Sequence, residues 1–107
     1  MKTKHTLELA DLKAIAAAAE AEALRNQWAV TIAIVDDAGF VLHLERMDGV
    51  NVQAGEIATL KARTAALSRK PSKAMEDLIK DRPAMVAFPG RLPIQGGVPV
   101  IAMGRAF

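Results

Sequence analysis

The chain has 107 residues, 51% of them hydrophobic and 24% charged, and carries a formal net charge of +2. That size and balance suit one small globular domain over residues 1–107, and seven Gly and five Pro are too few for a disordered or fibrous chain. The absence of cysteine excludes a disulfide framework, a thiolate zinc site and a thiol nucleophile, and suits a reducing compartment.

Met1-Lys2-Thr3-Lys4-His5 runs into a charged, alanine-rich stretch without the apolar core of a signal peptide. No run approaches the roughly 18 to 20 apolar residues of a membrane span. The expectation is a cytoplasmic protein with no membrane partner. The small, scattered excess of Lys and Arg suits an anionic small molecule better than a nucleic acid, and one Trp, three Phe and no Tyr leave little for base stacking.

From Leu9 to about Asn26, Leu12, Ile15, Ala16, Ala19 and Ala23 follow helical spacing, with Asp11 suited to the positive end of the helix dipole. The β-branched run Val30 to Val35, the turn residues Asp36-Asp37-Ala38-Gly39 and the run Phe40 to Leu44 predict a β-hairpin, with Gly39 supplying a positive φ. A second helix spans about Val52 to Arg69. Ile57, Leu60, Thr64 and Leu67 share one side, Ala54, Ala58, Ala62 and Ala65 another, and Glu56, Thr59, Arg63 and Lys70 form the solvated strip. Pro71 breaks the pattern, and Ser72 is the expected N-cap of a third helix reaching Lys80. After a loop with Pro89-Gly90, Pro93 and Gly96-Gly97, Val98 to Met103 reads as a last strand, irregular or at an edge because of Pro99. The order implies an α+β fold, an antiparallel sheet covered by helices on one face.

The inventory for catalysis is thin. Two His and no Cys make neither a metal triad nor a thiol site, Ser68 and Ser72 have no neighbouring His, and no phosphate-binding Gly-rich loop precedes a Lys-Ser or Lys-Thr pair. An enzyme built on this chain would use Glu45, Asp48, Glu56 or Lys61 as acid or base.

Four segments carry a family resemblance: Ala29 to Gly49 with its Glu45-Arg46-Met47-Asp48-Gly49, Lys61-Ala62-Arg63-Thr64-Ala65, Pro71-Ser72-Lys73-Ala74, and Gly96-Gly97-Val98-Pro99-Val100. In order and spacing they resemble the GlcG and HbpS family. That family includes a glycolate-utilisation operon member, an extracellular heme-binding protein and a domain attached to some cobalamin adenosyltransferases. The resemblance implies a profilin-like α+β fold, homo-oligomers such as tetramers or octamers, and binding of heme or a related tetrapyrrole. Family chains continue past the position of Phe107 into a glycine-rich strand and a last helix, so the resemblance implies either a C-terminal truncation or a sheet whose last strands are completed differently.

Heme iron commonly takes a His ligand, and His43 and His5 are the histidines of this chain. Heme-binding relatives draw a ligand from the first helix, where this chain has no His between Leu9 and Trp28. By alternation His43 shares a strand face with Val41 and Glu45, either half exposed or touching a ligand and its metal. Thr64 matches the Thr of the family's Lys-Ala-x-Thr-Ala motif. Its hydroxyl either bonds the carbonyl four residues earlier or serves a pocket. Arg46 and Asp48 either pair locally to order the bend, or Arg46 holds a propionate through its planar fork. Lys61 either reaches water or an anionic group. Met47, Met75, Met85 and Met103 are soft ligands or fillers of core gaps.

Three functions follow: a small-molecule binding protein with heme as cofactor, a small enzyme or accessory in organic acid or aldehyde catabolism, or a partner-binding module.

Overall fold

The computed structural model describes residues 1–102 together with 105 and 106. The fold is α+β. Helix α1 (Leu9–Arg25) leads into a hairpin of β1 (Thr31–Val35) and β2 (Val41–Arg46), followed by α2 (Ala54–Ser68), α3 (Ser72–Asp81) and a 3-10 turn at Pro83–Ala87. A short second hairpin pairs β3 (Ile101–Ala102) with β4 (Arg105–Ala106).

Helix α1 forms where the apolar spacing predicts it, and Leu12, Ala16 and Ala23 are buried along one stripe. Asp11 does more than face the dipole: its carboxylate accepts the Glu8 N–H at 2.8 Å, closing the first turn. The far end stops at Gln27, whose φ of 58° lets the Trp28 N–H return to the Ala23 carbonyl at 2.8 Å.

The hairpin turn is organised by Asp36. Its Oδ1 accepts the N–H groups of Ala38 and Phe40, both at 2.9 Å, while Gly39 takes the expected positive φ of 88°. Pairing runs from Thr31–Arg46 to Ile34–His43, then shifts at Val35–Val41, which leaves Leu42 as a bulge.

Directly opposed residues share a sheet face. Ile32 and Ile34, opposed to Glu45 and His43, pack with Leu12, Ala16 and Ile15 of α1. Leu44, opposed to Ala33, lies on the other face, where its Cδ2 comes up beside Gly55 of α2. The helices therefore take both faces of the hairpin rather than the one face expected from the element order. The physical reason is that β1 is apolar on both sides: Ile34 and Val35 are both buried although they point oppositely.

Two expectations for α2 change. Leu67, placed on an apolar side, is 37% exposed, whereas Arg63, placed on the solvated strip, is half-buried. Arg63 lies across the hairpin turn, donating from Nε to the Gly39 carbonyl at 3.2 Å with its guanidinium 6.0 Å from the Phe40 ring centre. The expected last strand also differs: residues 98–100 are not strand, and pairing begins at Ile101, beyond Pro99. Met103 lies outside the described residues.

The loop after α3 is pressed onto α2 at Gly97. A Cβ there would overlap the Lys61 carbonyl group, so this contact admits glycine alone. Gly97→Ala is expected to cost about 3 kcal/mol in urea unfolding, the penalty of forcing an overpacked contact apart. Gly49→Ala, at a φ of 85° but in open space, should cost about 1 kcal/mol. Equal losses at the two positions would show that φ, and not the close approach, sets the requirement.

Candidate functional site

The five candidate residues fall into separate places. His43 is on the α1 face of the hairpin, its Nε2 3.0 Å from Glu45 Oε1, with 28% of its side chain exposed. The hydrogen bond from His43 is the main cause holding the Glu45 carboxyl below its ordinary value, with a further hydrogen bond to Glu20 of α1. Arg46 and Asp48 are both exposed. No ion pair joins them among the described residues, so the local pairing expected at the bend is not what orders it. The bend is held by backbone instead: the Met47 N–H donates to the Val30 carbonyl at 3.0 Å, and Gly49 turns the chain.

Lys61 and Thr64 are brought together with a third residue, Ser72, whose place before α3 predicts a helix cap. Thr64 and Ser72 are fully buried hydroxyls, each at 0% exposure. Thr64 Oγ1 donates to the Leu60 carbonyl at 2.8 Å, as expected for a helical threonine, and also accepts the Leu92 N–H at 2.7 Å. Ser72 Oγ does not cap α3. It donates to the Ile94 carbonyl at 2.6 Å and accepts the Gly97 N–H at 2.8 Å, while the Ser72 N–H donates to the Gly97 carbonyl at 2.8 Å. Pro71, preset at φ −55°, takes the capping position. The Lys61 stem runs beside Gly96, a Cβ on which would stand 3.1 Å from Lys61 Cδ.

The hydroxyls of Thr64 and Ser72 are thus engaged in holding the loop 92–97 to α2 and α3. The ring nitrogen of His43 is engaged with Glu45, on the opposite side of the hairpin from α2. The five residues do not converge on one pocket within a single chain, and no group of three or more His, Asp or Glu among the described residues is placed to hold a metal ion. No helix among the described residues is long and apolar enough to cross a membrane.

An open groove of about 290 Å³ lies elsewhere, between the end of α2, α3 and the segment after it. Met75, Leu78, Met85 and Phe88 form its apolar lining, and Lys70 and Arg91 are its cations. The two methionines read as ligands or fillers are here wall residues of a groove. Nothing local in the sequence marks Arg91 and Phe88; the groove exists only once α3 and the segment after it fold back against the end of α2.

Residues 7–106 match the family model described as "Haem degrading protein HbpS-like". Protein GlcG of Escherichia coli (strain K12) is 43% identical over 106 residues, 98% of this chain and 79% of GlcG. A crystal structure of a double mutant of Streptomyces reticuli HbpS superposes with a TM-score of 0.89 at 30% identity, covering 99% of this chain and 73% of that one. Klebsiella pneumoniae protein ORFY superposes with a TM-score of 0.87 at 25% identity, covering 99% and 77%.

Removing either buried hydroxyl strands a backbone N–H. Thr64→Val and Ser72→Ala are each expected to lose about 1–3 kcal/mol, with faster amide hydrogen exchange at Leu92 and Gly97 respectively, while Thr64→Ser retains protection at Leu92. Unchanged exchange in Ser72→Ala would sink the assignment. Glu45 gives a pH signature. Its folded value is held below the ordinary 4.5, so its contribution is complete above that value and lost as pH falls through the folded one. The wild type should therefore lose stability more steeply below about pH 4.5 than Glu45→Gln, in urea midpoints measured across the acid range.

Proposed function

The chain belongs to the HbpS-like family, and on that footing we propose that it binds heme, or a similar planar anionic tetrapyrrole, between copies of itself. The observation that carries this reading is the family match over residues 7–106, whose description names heme. The geometry supports an inter-chain site rather than one inside a chain. His43 and Lys61 of α2 stand on opposite faces of the hairpin, so a pocket using both groups draws them from two chains. Apolar side chains left open, among them Trp28, Phe40, Leu44, Val86 and Val98, are the surface such an assembly would cover.

In this reading His43 is the iron ligand. Because Nε2 is held by Glu45, ligation either uses the other ring nitrogen, with Glu45 orienting the ring, or displaces Glu45. Arg46, exposed at the end of β2, and Lys61 offer cations to the propionates. Thr64 supports the backbone around Lys61, and Asp48 stands exposed beside the bend. A homo-oligomer, tetrameric or octameric, and a single cytoplasmic domain without cysteine belong to the same proposal.

The family description favours one second reading, that bound heme is also degraded. Heme itself supplies the redox chemistry in that case, and the chain's part is to hold and expose it.

A heme titration followed by visible absorbance, with mass by light scattering, tests the proposal. A saturable Soret shift is expected, altered in position in His43→Ala and weakened about tenfold in Arg46→Gln, the loss of one charge-assisted contact. An unshifted spectrum with an intact oligomer would overturn heme binding. A band unchanged in His43→Ala would move the ligand elsewhere. Faster loss of the band with ascorbate and oxygen than for free heme would favour degradation.

A further inference from the structure

Outside the proposed heme site, the groove of about 290 Å³ has the chemistry of a binding site in its own right. Its lining is apolar, from Met75, Leu78, Met85 and Phe88, and its charged residues are Lys70 and Arg91, with no Asp or Glu. The Ser68 hydroxyl at its edge is already bonded, donating to the Thr64 carbonyl at 2.7 Å. Two cations and no anion around an apolar wall fix the sign of the ligand's charge and leave its body apolar.

Arg91 is set in place before any ligand arrives. Its guanidinium lies over the Phe88 ring, 4.6 Å from the centre, and Nη1 donates to the Pro89 carbonyl at 3.1 Å. That single bond leaves further N–H groups of the fork for a carboxylate. No carboxylate pairs with Arg91 or with Lys70 among the described residues. The volume, about 290 Å³, falls just below the roughly 300–1,000 Å³ of ligand pockets, which suits a ring with a short tail rather than a macrocycle. Met75 and Met85 offer polarizable, adaptable walls to such a ring.

We propose that this groove binds a small apolar monocarboxylate, an aromatic or branched acid, with its body against Met75, Leu78, Met85 and Phe88 and its carboxylate on Arg91, assisted by Lys70. The site goes beyond the heme reading and shares no residue with it.

The test uses phenylbutyrate and its neutral amide as probes, followed through the methyl signals of the five methionines of the full chain. Saturable shifts are expected at Met75 and Met85, with the acid binding about tenfold more tightly than the amide, the worth of one charge-assisted contact. Arg91→Gln should bring the acid down to the amide's affinity and leave the amide unchanged. Lys70→Glu, at an exposed position, should weaken the acid alone. Equal affinity for acid and amide, shifts centred on Met47, or no shift in a protein whose spectrum is that of the folded state would each overturn the proposal. With heme bound, saturating phenylbutyrate should leave the Soret band in place; displacement would give the groove to heme and overturn the second site. Should heme not bind at all, the methionine shifts still decide the question, so the two readings fail independently.

Discussion

Two buried hydroxyls hold this structure together. Thr64 on α2 and Ser72 at the start of α3 between them satisfy the N–H groups of Leu92 and Gly97 and the carbonyl of Ile94, in a region with no sheet to do so. A loop cannot be buried unless its backbone polar groups find partners, and here each hydroxyl acts once as donor and once as acceptor. The contact also depends on shape: Gly97 can approach Lys61 closely because it has no Cβ. Loss of either feature would let water into the joint between α2, α3 and the loop and loosen the segment that carries Arg91.

That joint changes the meaning of the motifs on which the family resemblance rests. Lys61-Ala62-Arg63-Thr64, Pro71-Ser72 and Gly96-Gly97 are far apart in sequence, yet they meet at one place. Their composition is accounted for by packing: a threonine that bonds both its own helix and a loop, a serine placed by a preceding proline, and a glycine where two backbones touch. A motif is not thereby a ligand site. Ligand chemistry has to be sought in groups the joint does not use, which are His43 with Glu45, the exposed Arg46 and the Lys61 ammonium, and, in the groove, Arg91 with Lys70.

Local order was legible in the sequence and long-range partnership was not. The stripe Leu12, Ala16, Ala23 predicts α1 and its buried side, because helical periodicity is a property of neighbouring residues. Asp36 to Gly39 likewise predicts the hairpin turn through φ and side-chain chemistry that stay within the turn. Ser72 reads as a cap because serine before a helix usually caps it; its real partners are 22 and 25 residues away and leave no local trace. Arg63 reads as solvated for the same reason, since Gly39 and Phe40, which it lies across, are a strand and a connection away along the chain. The placement of helices on both faces of β1 was latent in its continuous apolar run, a pattern of strands buried on both sides.

The hairpin also separates the possible chemistry of the chain into two independent regions. β1 is enclosed between α1 and α2, so it is a wall: His43 and Glu45 lie against α1, and Lys61, Thr64 and the whole groove region lie beyond the other face. Nothing small can touch both within one chain. A ligand large enough to use groups from both sides has to meet them on two different chains, and the open apolar side chains of Phe40 and Leu44 flank the hairpin where such a meeting would occur. The groove, in contrast, is built from residues 68–91 of one chain, behind the hydroxyl joint. Its lining residues all come from one chain, and the loop that follows Arg91 is held in place by Thr64 and Ser72.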